Sequence, residues 1–396
     1  MKKLTKKPKL AVYIPIMAVL VVLAVAIQIA NSMYGPVLQS AFAGSNMDAT
    51  LQSTTHQTAL DMNKQLEEEG AVLLKNDNNT LPIDASANSK VNLFGVKSVD
   101  MTYNASGSAA GSSTTPVTMK EGLESAGFVV NPDLNSMIAA NTQKSDTAVH
   151  ENGPTQSVNE LDLSLYTGNC DFTTLKAYSN YAIVVIGRIG GEGADLARTG
   201  FGADGTNGYL TIMPNEAALL KALKTNGFTT IVLVNSSYAM ELGFLEDPQY
   251  GVSAALWIGG PGDAGTLAVG EILAGQVVPS GRLVDTYAYD ETTASTYYTS
   301  DNYQYVVDQG GGTYKSIGGY TDANEGIYVG YRWYETADAE GYWDAVGGYD
   351  KVVQYPFGYG LSYATFAQAF DGTPTFSDNT WTFQRQGDQP ECSVRR

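Results

Sequence analysis

The residues best placed for chemistry lie in a glycine-rich loop that follows an apolar, strand-like run. The run is AIVVIG, residues 182–187, and the loop reads RIGGEGAD, residues 188–195. The loop places the carboxylate of Glu192 among glycines, which lack a Cβ and therefore let another backbone or a sugar come close. Taken alone, this pattern is more typical of a solvated turn that carries a surface glutamate.

Other kinds of site are poorly supported by the sequence. No GxxxxGK[ST] motif occurs, so a phosphate cradle of that type is not predicted. The two cysteines, Cys170 and Cys392, are far apart and form no CxxC pair, and the two histidines are His56 and His150. We therefore expect neither a metal nor another cofactor.

Composition limits the class of partner. The chain has 396 residues and a net charge of −18, which disfavours nucleic acid because phosphate binding requires a basic surface. At roughly 150 residues per domain, this length corresponds to about two or three folded units. A neutral ligand fits an acidic surface better.

The elements that must position the loop alternate between apolar strands and amphipathic helices. The predicted strands are Val91–Val96, Ala182–Gly187, Thr230–Asn235 and Ala254–Ile258, and the predicted helices are Ala59–Glu69, Lys120–Ala126, Asn215–Asn226 and Asp263–Ala274. Short, uncharged, β-branched runs are typical of strands covered on both faces. The pattern predicts an α/β fold with a doubly wound, mostly parallel sheet, in which ligands bind at the carboxyl ends of the strands.

Six stretches, in the same order, resemble the α/β-sandwich domain of family 3 glycoside hydrolases. They are EGAVLLKN (69–76) with LPI (81–83), the GGEG loop, WIGGPG (257–262), VPSGRL (278–283), EGIYVGYR (325–332) and YPFGYGLSY (355–363). The resemblance extends from about Ala59 to Phe366. It implies an α/β sandwich and activity on β-glycosidic bonds of the β-glucosidase type.

The resemblance also implies a mechanism. Retaining enzymes use two carboxyl groups about 5 to 5.5 Å apart, one a nucleophile and the other an acid/base. In this family the acid/base lies in a GEG context that corresponds to Glu192, and the nucleophile is an aspartate of a TIM barrel. This chain contains neither an eightfold βα pattern nor a Ser-Asp-Trp sequence, so we expect no nucleophile within it. The order of segments resembles the less common, permuted arrangement, in which a barrel would follow residue 396.

Further substrate-binding candidates come partly from this resemblance and partly from the chemistry of the residues. They are Lys75, Asn76, Ser106, Gly107, Arg188, Asp195 and Arg332. The first two resemble a Lys-Asn pair of the family, although a structural salt bridge is an equally good interpretation of the lysine. The Ser106-Gly107-Ser108 stretch loosely resembles a Gly/Ser loop at the family's cleft.

Two interpretations compete within this set. Asp195 and Glu216 are rival carboxylates for the role of Glu192, and Asp195 is also suited to holding the loop through backbone hydrogen bonds. The cluster around Arg332, residues 331–334 (YRWY), is suited to stacking on a sugar, but tyrosine and tryptophan at this density more often pack with a polar tip in water.

The amino terminus predicts a membrane anchor. Five lysines precede an uncharged apolar run, Leu10–Ala30, that is long enough to cross a bilayer. Lysines on this side predict a cytoplasmic amino terminus and an extracytoplasmic main domain at the cell membrane. A cleaved signal peptide is the alternative, supported by the Ala41-Phe42-Ala43 triplet, whose distance from the run favours an uncleaved anchor.

These inferences define the expected organisation. Residues 1–36 form the basic tail and transmembrane helix, 37–57 a linker, 58–366 the sandwich domain, and 367–396 a truncated fibronectin-type start with an irregular tail. Thr373–Phe376 and Trp381–Phe383 are its predicted strands, and Arg385–Arg396 shows no alternation. A natural disordered tail is the alternative to truncation.

Three functions remain open at this point. The first is the acid/base part of a retaining β-glucosidase-like hydrolase, inactive alone and partnered in cis by a barrel domain. The second is a cell-surface protein that binds carbohydrate without catalysis, and the third is a structural surface anchor. The expected ligands are β-linked glucosides or oligosaccharides.

Overall fold

The structure, a computed structural model, describes most of the chain. The described residues are 15, 17, 19–24, 27–28, 49–104, 115–143, 149–150, 153–154, 158–190, 196–201, 205–297, 299, 303–320, 322–364, 370–377, 380–385 and 392–395. The chain divides into two compact units, residues 1–59 and residues 60–396.

The predicted membrane helix falls mostly outside the described residues. Residues 19–24 and 27–28 are helical, and apolar side chains among them, such as Leu20 and Leu23, are exposed. Within the described part of the chain, no helix combines the length and apolar character that a membrane span requires. The spanning helix therefore stays a prediction.

The remaining elements alternate as expected for an α/β fold. The strands are β1 (Val72–Asn76), β2 (Lys90–Phe94), β3 (Val129–Val130), β4 (Val149–His150), β5 (Gly153–Pro154), β6 (Tyr181–Arg188), β7 (Thr229–Ser236), β8 (Val252–Trp257), β9 (Tyr287–Ala288), β10 (Tyr303–Asp308), β11 (Tyr314–Tyr320), β12 (Val353–Tyr355), β13 (Phe370–Ser377), β14 (Thr380–Arg385) and β15 (Cys392–Arg395). The helices are α1 (Ala49–Gly70), α2 (Met119–Ser125), α3 (Pro132–Asn141), α4 (Leu163–Asn169), α5 (Phe172–Tyr178), α6 (Pro214–Thr225), α7 (Gly265–Leu273) and α8 (Tyr331–Ala339).

The main sheet has six strands in the order β1-β8-β7-β6-β2-β3. Strands β8, β7, β6, β2 and β3 run parallel, and β1 pairs antiparallel with β8 at one edge. The predicted parallel sheet is confirmed, and the four predicted strands correspond to β2, β6, β7 and β8. The predicted helices correspond to the later part of α1 and to α2, α6 and α7.

Alternating side chains of β6 belong to two hydrophobic cores, one on each face of the sheet. Ile183 and Val185 pack in the core that includes residues of α2 and α7. Val184 and Ile186 pack in the core that includes residues of α3, α5 and α6. All four are at least 98% buried, and each such side chain stabilises the fold by about 1.5–3 kcal/mol. Covering both faces explains why the strand sequence is continuously apolar.

Helices α2 and α7 approach each other through glycine. A Cβ added at Gly122 would lie 2.2 Å from the carbonyl oxygen of Thr266, and one added at Gly270 would lie 2.2 Å from that of Gly122. The amino end of α2 is fixed by a capping box between Thr118 and Glu121. The close crossing therefore depends on two residues without side chains.

Residues 287–355, here called the aromatic module, follow the main sheet. Strands β9 and β12 pair in it, and α8 packs its Tyr334 against Trp343 with ring centroids 6.1 Å apart. Its β10–β11 hairpin is exposed, with Tyr305 and Tyr320 in contact at 4.7 Å between centroids. The module has its own small core, which includes Val352.

The last described strands form a three-stranded antiparallel sheet, β13-β14-β15. Residues 373–376 and 381–383 lie in β13 and β14, as predicted. The prediction of an irregular tail was wrong at residues 392–395, which pair with β14 through the register Val394 to Trp381. The short alternation of Cys392 and Val394 with polar neighbours was too brief to be recognised as a strand, and backbone pairing with β14 stabilises it.

Candidate active site

The carboxyl ends of the parallel strands form the edge at which a ligand is expected. Arg188 ends β6 and pairs in register with Ser236, which ends β7, while Trp257 ends the next strand, β8. Chain segments that leave these three ends meet at one edge because the strands are parallel and adjacent. We call this region the strand-end edge.

Arg188 is fully buried and pairs with Glu216. Its Nη1 and Nη2 atoms lie 2.8 Å from Oε1 and Oε2 of Glu216, a bidentate arrangement. Its Nε donates to the carbonyl of Tyr209 at 2.7 Å, and its Nη2 donates to the carbonyl of Thr211. The guanidinium therefore anchors the segment that returns from the glycine-rich loop. The sequence predicts that Arg188 binds substrate, whereas its burial and its contacts favour a structural role.

Glu216 is also committed to structure. Besides holding Arg188, it accepts a hydrogen bond from the backbone N–H of Met213 at 2.8 Å, which caps the amino end of α6. A carboxylate held in this way is a poor rival for the role of Glu192. The buried pair explains why a charged side chain can follow a continuously apolar strand.

The acid/base candidate itself lies outside the described residues. The same holds for Asp195, Ser106 and Gly107, whose assignments stay predictions. The described flank before residues 191–195 is held by tyrosines: the N–H of Ile189 donates to the hydroxyl of Tyr209 at 3.1 Å.

The position of Tyr238 explains why residue 190, in the GGEG stretch, is a glycine. A Cβ at Gly190 would lie 2.3 Å from the hydroxyl oxygen of Tyr238, so the chain passes directly against this ring. A larger residue at this position would push the chain off the ring and change where the following loop starts.

Asn235 ties the end of β7 to two neighbouring loops. Its side chain accepts from the N–H of Thr102 and donates to the carbonyl of the same residue, both at 2.8 Å. It also donates to the carbonyl of Gly259 at 2.7 Å. Asn235 is fully buried, so these bonds satisfy its amide and fix the WIGGPG turn beside the strand end. This role of Asn235 is not among the sequence predictions. The sequence feature that could have indicated it is a polar residue at the end of an apolar strand.

Two further ionisable groups are buried near the strand-end edge. Lys97 lies 3.6 Å from Asp100, and burial lowers the pKa of its ammonium. Glu160 accepts from the N–H of Val96 at 2.9 Å and from the hydroxyl of Tyr166 at 2.8 Å. Burial nevertheless raises the pKa of Glu160 to about 7. Sequence reasoning had no basis for selecting either residue.

A cavity of about 480 Å³, here called the strand-end cleft, opens beside the ends of β7 and β8. Ser237, Trp257 and Gly260 line it together with the carboxylate residues Glu69 and Asp285. An indole, a hydroxyl and two carboxylates are groups able to hold a neutral polar ligand. Among the described residues, no group of three His, Cys, Asp or Glu side chains is arranged to hold a metal ion.

The structure does not bring Lys75 and Asn76 to this edge. Strand β1 runs antiparallel, so these residues pair with Ala255 and Ala254, towards the start of β8. The ammonium of Lys75 lies 2.8 Å from Glu246 and 3.3 Å from Asp77. These contacts favour the structural interpretation of the lysine.

Asn76 has a local structural role. Its amide donates to the carbonyl of Leu81 at 2.9 Å and accepts from the N–H of the same residue at 2.9 Å. These two bonds close the turn that precedes the LPI stretch. With both bonds made, the amide is directed at its own turn, and the structure does not place it beside the glycine-rich loop.

Arg332 lies on α8 in the aromatic module and is exposed. Its guanidinium carbon is 5.7 Å from the ring of Tyr331, which stacks on Phe357 with centroids 4.6 Å apart. By contrast, Trp333 and Tyr334 of the same cluster pack inward. The cluster therefore contains both exposed and packed members, as the two interpretations of the sequence had allowed.

The motif glycines pack the strands and turns together. A Cβ at Gly281 would lie 2.4 Å from the carbonyl oxygen of Ala71, and one at Gly360 would lie 2.4 Å from that of Gly281. The N–H of Leu361 donates to the carbonyl of Leu73 at 2.8 Å. Three of the six sequence stretches thus meet along β1.

This fold, with a glycine-rich loop at the end of a central parallel strand, defines a known class of domain. The chain matches the model of the glycosyl hydrolase family 3 C-terminal domain over residues 71–363. That match covers more than half of the chain, which therefore belongs to glycoside hydrolase family 3.

Individual relatives agree with the family match. Beta-glucosidase A of Butyrivibrio fibrisolvens is 29% identical over 347 residues, which cover 79% of this chain and 36% of that protein. A beta-glucosidase of Ruminococcus albus is 29% identical over 327 residues, covering 80% of this chain and 30% of that protein. The chain thus spans about a third of the length of these relatives.

Solved structures show the same fold. A beta-glucosidase of Paenibacillus barengoltzii superposes with a TM-score of 0.61 at 25% identity, covering 82% of this chain and 32% of that one. Beta-glucosidase 3B of Thermotoga neapolitana, solved with α-D-glucose, superposes with a TM-score of 0.61 at 23% identity and covers 81% of this chain and 40% of that one.

Proposed function

We propose that this chain supplies the acid/base domain of a retaining, β-glucosidase-type glycoside hydrolase, with Glu192 as the proton donor. The observation that carries the proposal is the family match over residues 71–363, which includes strand β6 and the GGEG loop after it. The names of the Butyrivibrio and Ruminococcus relatives, both beta-glucosidases, support β-linked glucosides or oligosaccharides as the substrate class.

The chemistry requires a second carboxyl group from elsewhere. In a retaining mechanism the acid protonates the leaving oxygen while the nucleophile, about 5 to 5.5 Å away, forms a covalent glycosyl intermediate. We propose that an aspartate of a barrel domain, joined in cis, supplies the nucleophile, and that the strand-end edge faces it. On this proposal the chain alone hydrolyses no aryl β-glucoside.

The experiment joins this chain to the part of the Butyrivibrio relative that the chain does not match and compares leaving groups. A general acid contributes about 10²- to 10⁴-fold, mostly where the leaving group is basic. Glu192→Ala should therefore reduce cleavage of alkyl glucosides by that factor and spare the first step on dinitrophenyl glucosides. Azide should restore turnover by attacking the glycosyl-enzyme in place of activated water.

Two further variants make this test specific. Asp195→Asn should not produce the dependence on leaving group, and Glu124→Ala, an exposed carboxylate on α2, serves as the matched control. Equal losses on both substrates, with no azide rescue, would assign the acid/base role to another residue. Hydrolysis by the unjoined chain that depends on Glu192 would place a nucleophile within it.

We further propose that residues 10–30 anchor the protein in the cell membrane, with the sandwich domain outside the cytoplasm. The support is the charge asymmetry of the sequence, five lysines before an uncharged apolar run. Protease added to intact cells should digest the sandwich domain. Survival of the domain until the cells are lysed would show the opposite orientation.

A further inference from the structure

A second cavity lies in the aromatic module and includes no residue of the main sheet. It measures about 620 Å³, within the usual range of ligand pockets, and we call it the aromatic pocket. The residues that line it include Thr292, Glu325, Tyr328, Trp333, Tyr342 and Trp343. Four aromatic side chains form one part of its wall, and threonine, serine, asparagine and glutamate residues form most of the rest.

The rings hold one another in fixed positions. Tyr342 meets Trp343 edge to face, with centroids 4.7 Å apart at 83°, and meets Trp333 at 5.5 Å and 61°. The two indoles also meet edge to face at 5.9 Å. Offset and edge-to-face geometries are the favourable ones for aromatic pairs. The pocket wall is therefore preorganised.

The indole N–H groups already have partners within the module. Trp333 donates to the carbonyl of Thr293 at 2.8 Å, and Trp343 donates to that of Tyr334 at 3.2 Å. The tryptophans therefore offer a ligand their carbon surface and no donor. Tyr342, by contrast, is 62% exposed although its ring contacts both indoles.

The polar side of the pocket contains oxygens that lack partners. The Oε2 atom of Glu325 and the Oγ1 atom of Thr299 are shielded from solvent and accept or donate no hydrogen bond among the described residues. Leaving a buried oxygen unsatisfied costs about 1–3 kcal/mol, more when it carries charge. A ligand hydroxyl that reached either oxygen through a small movement of its side chain would remove this cost.

We infer that the aromatic pocket is a second saccharide-binding site, which holds a neutral pyranose unit. A pyranose presents a C–H face that packs on an aromatic ring and hydroxyl groups that donate to a carboxylate. The net charge of −18 and the Glu325 carboxylate disfavour an anion. The choice of a saccharide as the ligand rests on the proposed function, whereas the pocket itself does not.

A cationic ligand is the competing occupant. Aromatic cages hold cations by presenting ring faces around them. Here Trp333, Tyr342 and Trp343 contact one another directly, with ring centroids 4.7 to 5.9 Å apart, so these three rings leave no space between them for a cation. The hydroxyl of Thr292 and the amide of Asn324, which also line the pocket, can hydrogen-bond the hydroxyl groups of a sugar, whereas a quaternary ammonium has no hydrogen to donate to them.

The experiment uses the full chain labelled with 5-fluorotryptophan and titrated with cellobiose. The chain has four tryptophans, of which Trp333 and Trp343 line the aromatic pocket and Trp257 lines the strand-end cleft. Tryptophan-to-phenylalanine variants assign the four ¹⁹F resonances. We expect cellobiose to shift the Trp333 and Trp343 resonances in a saturable way.

Two pairs of variants test the contacts. Tyr342→Ala and Glu325→Gln should each weaken cellobiose binding at these resonances by about tenfold. The matched controls are Tyr314→Ala, which changes a tyrosine 63% exposed in the β10–β11 hairpin, and Glu340→Gln, which changes an exposed carboxylate just after α8. Both controls should bind as the unmodified chain does. Tyr342→Leu keeps an apolar contact with Trp343 in case the alanine variant loosens the pocket.

Each outcome separates this inference from the proposed function. Saturable shifts at Trp333 and Trp343 in a Glu192→Ala chain would support the pocket whether or not Glu192 is the acid/base. A response at Trp257 alone would overturn the pocket and leave the proposed function standing. Saturation of the pocket resonances by tetramethylammonium and not by cellobiose would overturn the saccharide assignment.

Discussion

The strand-end edge and the aromatic module use their polar groups in opposite ways. At the strand-end edge, the charged and amide side chains are buried and bonded within the protein, as Arg188 is to Glu216 and Asn235 is to Thr102. In the aromatic module, rings pack against rings, and Glu325, which lines the aromatic pocket, has an Oε2 atom without a hydrogen-bond partner among the described residues.

The difference shows how a functional group can be distinguished from a structural one. A charged residue at the end of a strand is a natural candidate for ligand binding. Its guanidinium or ammonium cannot bind a ligand, however, if it is already hydrogen-bonded to other parts of the protein. A residue in an aromatic cluster is easily taken for packing, yet it can line an open pocket. If this distinction is right, the bonded side chains at the strand-end edge stabilise the fold, whereas side chains that line the aromatic pocket also bind a ligand.

The largest effect is expected at Arg188. Arg188→Ala leaves the carboxylate of Glu216 buried without its partner, and breaking such a pair typically costs about 3–5 kcal/mol of unfolding free energy. Chemical denaturation of the variant and the unmodified chain measures the difference. Lys351→Ala, which removes a cation at an exposed position in the aromatic module, is the control and should change stability by less than about 0.5 kcal/mol.

A contrary result at Arg188 would restore its predicted binding role. If Arg188→Ala kept full stability and lost saccharide binding, the side chain would belong with the ligand, and the structural account of the strand-end edge would fail. Replacing both Arg188 and Glu216 with apolar residues of similar volume should recover part of the lost stability, because no charge is then left unpaired, while the carbonyls of Tyr209 and Thr211 still lack their donor.

The next effect concerns pH and Glu160. Burial raises its pKa from the ordinary 4.5 to about 7, so between these values the folded chain binds a proton that the unfolded chain does not. Stability contributed by the protonated group is therefore present below about pH 4.5 and is lost as pH rises through about 7. Glu160→Gln, which stays uncharged, should be more stable than the unmodified chain at about pH 8, by roughly 1–3 kcal/mol, and the difference should vanish near pH 4.

Glu67 provides the comparison for this pH effect. Burial raises its pKa to about 8, and its Oε1 atom has no hydrogen-bond partner among the described residues. The Glu160→Gln variant will therefore keep some pH dependence of stability, which comes from Glu67. Subtracting the curve of Glu160→Gln from that of the unmodified chain isolates Glu160, and a flat difference between about pH 4 and 8 would show that its pKa is not raised.

The sheet could be predicted from the sequence because its signal is local. Strands such as 182–187 are continuously apolar, and helices such as 215–226 carry apolar residues at helical spacing. The antiparallel direction of β1 is not local, since it depends on pairing with β8 about 180 residues later along the chain. The partners of Arg188 and Lys75 were hidden for the same reason: Glu216 is 28 residues away and Glu246 is 171.

The aromatic module illustrates a second limit. The sequence shows a cluster of rings at residues 331–334, but it does not show which of these rings line a pocket and which are buried in a core. That depends on contacts with Trp343 and on the position of Glu325, which only the structure gives. The acid/base prediction stands apart from both limits. Glu192 was identified by its motif, and its position lies outside the described residues.

A smaller effect is expected for the core of the aromatic module. Trp343 is 5% exposed and contacts the rings of Trp333, Tyr334 and Tyr342. Trp343→Phe removes the hydrogen bond to the carbonyl of Tyr334 and part of this ring contact, and should cost about 1–2 kcal/mol. Thermal unfolding with and without cellobiose checks it, because the ligand should stabilise the unmodified chain more than the variant. Equal stabilisation of both would place the ligand elsewhere.

The smallest change in stability is expected at Lys75, whose ion pairs, unlike that of Arg188, involve water-exposed partners. Its side chain is 10% exposed, but the side chains of Glu246 and Asp77, whose carboxylates pair with it, are 47% and 54% exposed. Ion pairs with such water-facing partners contribute about 0.2–1 kcal/mol and weaken as salt is added. Lys75→Met keeps the apolar stem and removes the charge, so we expect a loss within that range that shrinks in high salt. A double-mutant cycle with Glu246→Gln should assign most of this loss to the pair. If Lys75→Met instead left stability unchanged and weakened saccharide binding at the Trp257 resonance, the lysine would act on a ligand, and the bonded side chains of the sheet could no longer be considered purely structural.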